Sequence, residues 1–112
     1  MSADAPGWRL TPRARQSLVD IALYTLDRFG PAQAALYETE LVARCDAIAA
    51  GRAHVRDCSA LAGVAPGRLF FARAGEHFAL FTRSGGAVVI TDFLHARSDL
   101  PARLAALGLL GD

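Results

Sequence analysis

The stretch from residue 8 to residue 50 constrains the fold more than any other part of the chain. A short apolar strand, Trp8-Arg9-Leu10, meets Thr11-Pro12 and runs into two amphipathic helices hinged at Gly30-Pro31. The Thr11 hydroxyl can cap the first helix, and Pro12 suits the first helical position, where no N–H is needed. Leu18, Ile21, Ala22, Thr25 and Phe29 recur at helical spacing and predict the buried face of helix one. Gly30 can end that helix in a left-handed conformation, and Pro31 restarts the next. Tyr37, Leu41, Cys45 and Ile48 predict the buried face of helix two, which Gly51 stops. A strand feeding a tight helical hairpin narrows the choice of folds.

Beyond Gly51 the pattern changes. Residues 52–59 are polar and lead through small residues to Pro66-Gly67, which reads as a connecting loop of roughly 15 residues. Three strands follow: 69–73, rich in aromatics; 77–83; and 87–94, rich in β-branched residues. Gly85-Gly86 suits a tight hairpin because both residues tolerate positive φ. Pro101 opens a short helical tail over 102–107, which Gly108 breaks. The expected class is therefore α+β: an N-terminal strand, a helical hairpin, then a three-stranded antiparallel meander joined by the first strand, in a single domain over 1–112.

With 53% hydrophobic and 21% charged residues, a chain of 112 residues can bury a core without disulfides or metal. Residues 1–7 read as a loose tail without the basic and apolar regions of a signal peptide. No apolar run approaches the roughly 20 residues of a membrane span. A cytoplasmic location and no membrane partner are the expectation. Cys45 and Cys58 should then be reduced thiols, and His54 with Cys58 supplies too few ligands for a metal. No cofactor is expected.

All 12 cations other than histidine are arginines, against 11 acids. Residues 1–50 hold 5 arginines and 6 acids, and residues 51–112 hold 7 and 5. A domain that grips phosphate backbones is usually far more basic. The absence of lysine also removes a class of catalytic residue.

Both faces of the predicted sheet are apolar. In the last strand, Val88, Ile90 and Leu94 would share one face, and Val89, Thr91 and Phe93 the other. In the middle strand, Phe78 and Leu80 oppose Ala79 and Phe81. A half-exposed sheet should read apolar on one side and polar on the other. One helical hairpin covers one face, so the tail from Leu104 to Leu110, a second copy or a different chain must cover part of the other. Helix one carries a similar excess: Val19, Leu23 and Leu26 form a second stripe. Apolar surface beyond what the chain itself covers points to a partner.

The residues do not compose an obvious enzyme. The glycines around Arg83-Ser84-Gly85-Gly86 lack phosphate-loop spacing, and His54, His77 and His95 are scattered in sequence. Ser59 and Ser98 have no evident base beside them. The cations on the predicted sheet are Arg68, Arg73, Arg83 and Arg97. Arginine holds a phosphate well and shuttles protons poorly.

Trp8-Arg9-Leu10-Thr11-Pro12-x-Ala14, then Leu18, Ile21, Tyr24-Thr25, Phe29-Gly30, Ala34 and Tyr37, resemble the opening of the ParE branch of the RelE/ParE toxins. Phe93-Leu94-His95-Ala96-Arg97-Ser98-Asp99 is similar to the close of the last strand in that branch. The resemblance spans about residues 8–100. It implies the toxin half of a ParD/ParE-type toxin–antitoxin pair. Such a toxin binds DNA gyrase, traps it on cleaved DNA and needs no catalytic set. A cognate ParD-like antitoxin would neutralise it, and operator DNA would be met only through that antitoxin. The implied target-binding surface is the last strand and tail, with Arg97 and His95 foremost and Arg83, Arg73 and Arg68 beside them. Arg97 has an internal alternative, pairing with Asp99 or Asp92. The antitoxin is expected over Val19, Leu23 and Leu26 and the sheet edge near Phe78 and Phe81. The RelE branch cleaves messenger RNA on the ribosome with lysines, arginines and often a late tyrosine. This chain has no lysine and no tyrosine after Tyr37, which leaves that activity, or a non-toxic antitoxin-binding member, as the alternatives.

Overall fold

The computed structural model describes residues 7–104. The loose tail expected before Gly7 and the tail beyond residue 104 lie outside the described residues. The chain forms β1 (Trp8–Leu10), α1 (Pro12–Phe29), α2 (Pro31–Ala49), β2 (Val55–Asp57), a 3-10 turn (Ser59–Ala62), β3 (Phe70–Ala74), β4 (His77–Ser84) and β5 (Ala87–His95). Residues 100–104 are helical.

The punctuation works as the residue types require. Thr11 is extended, and its hydroxyl accepts the Ala14 N–H at 3.1 Å, supplying a partner to a donor that the first turn leaves orphaned. Gly30 sits at φ 90°, where a side chain would be strained, and its N–H closes α1 on the Leu26 carbonyl. Pro31 then starts α2 without a break.

The sheet order is β1-β5-β4-β3-β2. β1 pairs parallel with β5, Trp8 opposite Val88 and Leu10 opposite Ile90, while the other pairs are antiparallel. The α+β meander joined by the first strand is thus present, with one addition. The region read as a loop contains β2, which pairs Val55–Asp57 with Phe70–Ala72. Three residues, two of them charged, carry no alternation to read; pairing with β3 makes them a strand.

The larger core lies between the sheet and the helical hairpin. Leu41, Cys45 and Ile48 of α2 and Ala14 of α1 pack on Trp8, Leu10, Ala79, Phe81, Ile90 and Phe93. The Trp8 indole N–H also reaches the Asp46 carboxylate at 2.8 Å, tying β1 to α2. Phe29, expected on the buried face, is 67% exposed. The buried residues of the hairpin are Ala14 and Thr25 in α1 and Leu41, Cys45, Ala47 and Ile48 in the C-terminal half of α2, so the last turn of α1 and the first of α2, at the hinge, bury none.

A smaller core occupies the other face. Cys58, just before the 3-10 turn, and Ala62, its last residue, meet Leu80, Leu94 and Leu104, with Leu69, Phe71 and Leu100 packed around them. Of the covers considered for this face, the chain's own loop and tail supply this one. Asp57 and Ser59 hold the loop down. Asp57 accepts the N–H groups of Ser59 and Gly67, and the Ser59 hydroxyl accepts those of Arg68 and Leu69.

Leu94 and Phe93 exchange the faces expected from simple alternation. Phe81 pairs with Ile90 but Leu80 pairs with Asp92, so Thr91 is an extra residue in β5. Such a bulge inverts the alternation downstream. Val88, Ile90 and Phe93 therefore share the helix-side core, and Leu94 joins the other. The bulge is tied to α1: the Thr11 hydroxyl donates to the Thr91 carbonyl at 3.0 Å, and the Ser17 hydroxyl donates to Asp92 at 2.5 Å.

Candidate functional site

The structure separates the five residues expected to touch a target. Arg68 precedes β3 and Arg83 closes β4, at one end of the sheet. Arg73, His95 and Arg97 lie at the other end, where β3 finishes, β4 begins and β5 finishes. With β3 rising about 3.3 Å per residue, roughly 15 Å divides the two groups. The Arg83 guanidinium lies 4.7 Å from the Phe70 ring centre, and the Phe70 and Phe81 rings stack beneath it. Arg73 spans the Phe78 ring at 5.6 Å and donates from Nε to the Gly75 carbonyl at 2.6 Å. Both arginines thus already rest on aromatic rings.

The second end holds a cluster that sequence reasoning missed. His77 and His95 face each other across β4 and β5, their rings edge-on at 5.1 Å. Tyr37 reaches them from α2. Its hydroxyl accepts the Glu76 N–H at 2.8 Å and lies 2.7 Å from His77 Nδ1. The β3–β4 turn closes onto that ring so tightly that a Cβ at Gly75, itself at φ +60°, would stand 2.6 Å from the Tyr37 ring. Burial, helped by His95 and Arg73 and opposed by Glu76, holds His77 below its ordinary pKa of 6.5. Burial likewise raises Tyr37.

Past the strand the chain turns sharply. Ala96 N–H donates to the Glu76 carbonyl, Arg97 N–H to His95 Nδ1 at 3.0 Å, and the Ser98 N–H and hydroxyl to the His95 carbonyl. The Arg97 side chain is exposed. The carboxylates considered as its internal partners are engaged elsewhere: Asp92 by Ser17 and the Phe93 N–H, Asp99 by the Ala102 N–H. Among the described residues neither pairs with Arg97.

The residues expected under an antitoxin also divide. Val19, Leu23 and Leu26 are 47%, 59% and 45% exposed along α1. Tyr24, Phe29 and Leu36 extend the exposed apolar surface of the hairpin. Phe78 is half-buried beneath Arg73 and edge-on to Phe71. Phe81 is fully buried in the helix-side core and offers no surface. Both phenylalanines sit on β4, a central strand with neighbours on either side, not on an edge. The meander decides this, since its middle strand pairs on both sides.

Burial pushes the Cys45 thiol up to about 12 and the Cys58 thiol up to about 11, so both stay protonated at neutral pH. Among the described residues no group of three or more His, Cys, Asp or Glu could hold a metal ion, and no helix is long and apolar enough to cross a membrane.

A strand that opens the chain and closes beside the last strand of a meander, under a helical hairpin, is the RelE/ParE-like architecture. Within that class the chain belongs to the ParE toxin family of type II toxin–antitoxin systems, parDE, whose profile matches residues 8–100. Among solved structures it is similar to the chromosomal ParDE TA system from P. aeruginosa, with a TM-score of 0.65 and 17% sequence identity. The likeness covers 80% of this chain and 94% of that one, and at this identity it speaks for the fold alone. No curated protein sequence matches the chain.

Proposed function

We propose that this chain is the toxin of a ParD/ParE-type pair, that it inhibits DNA gyrase by binding, and that a cognate antitoxin neutralises it. The family match over residues 8–100 carries this reading. Two surfaces support it. The exposed Val19–Leu23–Leu26 stripe gives an antitoxin an apolar seat. The exposed Arg97 offers a guanidinium fork suited to a carboxylate on a target protein. Expression in cells tests the reading: growth arrest with filamentation and DNA damage, relieved by the antitoxin, is the expected result. Arg97→Ala should abolish the arrest while leaving the melting temperature and antitoxin binding unchanged. Leu23→Asp should weaken antitoxin binding by about one to two orders of magnitude, since burying a leucine is worth roughly 1.5–3 kcal/mol. An unchanged affinity would move the antitoxin off α1.

The ribonuclease reading has one observation in its favour, the Tyr37–His77–His95 cluster beside Arg73. Its weakness is that both imidazole Nδ1 atoms are already engaged within the fold. Rapid arrest of translation, with cuts inside codons at the ribosomal A site, would replace gyrase as the target.

A further inference from the structure

We infer that His95 is a positioning residue, whose ring fixes the direction in which Arg97 leaves the sheet. This rests on the reading of Arg97 as a target contact. The Arg97 N–H donates to His95 Nδ1 two residues back, at 3.0 Å. Side chains of asparagine and aspartate commonly make that bond, closing an Asx turn. Here an imidazole stands in for the carboxamide. The backbone N–H can only donate, so Nδ1 is the bare nitrogen and the ring hydrogen sits on Nε2.

The ring is held from behind by a connected set of contacts. The Tyr37 hydroxyl takes the Glu76 N–H, and the Glu76 carbonyl takes the Ala96 N–H at 2.9 Å. His77, held at Nδ1 by the same hydroxyl, meets the His95 ring edge-on. Ser98 closes on the His95 carbonyl through both its N–H and its hydroxyl, the latter at 2.6 Å. The N–H groups of Ala96, Arg97 and Ser98 are therefore all satisfied by partners already in the fold. Among the described residues the Arg97 guanidinium has no partner. A corner built this way presents one arginine in one orientation, which lowers the entropy lost when it docks.

Isosteric replacement separates positioning from contact. An asparagine amide reaches the place of Nδ1, and a glutamine amide the place of Nε2. His95→Asn should keep the Arg97 amide protected from hydrogen exchange and keep growth arrest. His95→Gln and His95→Ala should speed that exchange about fivefold, the scale of one hydrogen bond, and lose the arrest at an unchanged melting temperature. In the unmodified chain, 15N NMR should find the His95 ring hydrogen on Nε2. Equal loss of arrest in His95→Asn and His95→Ala would overturn the inference and make the ring itself the contact. So would unaltered Arg97 exchange in His95→Ala. Persistent arrest in Arg97→Ala would instead sink the reading of Arg97 as a target contact. In that case the exchange and tautomer measurements still decide whether His95 sets the corner.

Discussion

The two faces of the sheet are both apolar, yet they are covered in different ways. The helix-side face is sealed by a hairpin whose contacts join residues far apart in sequence, from Trp8 to Phe93. Among the described residues, the opposite face is covered by a four-residue 3-10 turn and the start of the tail, around five buried residues. The first cover cannot lift without losing the fold. The second should open locally, because fewer buried residues hold it among those described. Apolar patterning therefore does not measure how firmly a face is closed; the length and origin of its cover do.

The most direct way to break this contrast is a matched pair of truncations. Leu41 and Leu104 are both essentially inaccessible, at 1% and 0%. Leu41→Ala should cost about 2–5 kcal/mol, the usual range for a core leucine. Leu104→Ala should cost roughly half as much, because its surroundings can yield. Equal losses in chemical denaturation would show that the two faces form one cooperative core.

Each core also holds a natural reporter, Cys45 on the helix side and Cys58 on the other. With both thiols pushed up by burial, a thiol reagent must wait for an opening. Cys58 should label through local opening, at a rate nearly independent of low denaturant. Cys45 should label only on global unfolding, at a rate that climbs with denaturant from the outset. Identical dependence at the two cysteines would erase the distinction.

The smallest expected effect concerns the sheet end beneath Tyr37. Burial lowers the pKa of His77, so the folded state favours the neutral ring. Below about 6.5, the unfolded chain binds a proton that the folded chain resists, and stability falls as pH drops towards the lowered value. The contribution is fully present above the unfolded pKa. His77→Asn should flatten this part of the melting temperature against pH profile. An unchanged slope would place the titration elsewhere.

Much of the fold was legible. The Thr11-Pro12 start, the Gly30-Pro31 hinge and the faces of α2 follow from local chemistry that needs no partner. Phe29 was not legible, because periodicity says which face a residue occupies and not how far the sheet extends beneath it. β2 was invisible because pairing, not composition, makes it a strand. Phe78 and Phe81 do not belong at an edge, and the meander itself says so: the middle of three consecutive antiparallel strands has a neighbour on either side. The histidine pair was hidden by the bulge in β5. Counting outward from Gly85-Gly86 sets His77 opposite Leu94, and only the extra Thr91 brings His95 into line. The exposed α1 stripe, by contrast, could be read directly as apolar positions left over once the helix face was assigned.

That single residue, Thr91, works like a phase shifter in a repeating signal. Upstream of it β5 keeps the register with β4 that the Gly85-Gly86 hairpin sets; downstream it is offset by one residue, and everything after inherits the offset. The heading of the terminal corner is thus encoded some distance before the corner itself. Deleting Thr91 would leave the composition of the corner intact and turn it to the other side of the sheet. Lineages of such chains can therefore reorient a whole surface through one insertion or deletion, without altering any residue that the surface displays.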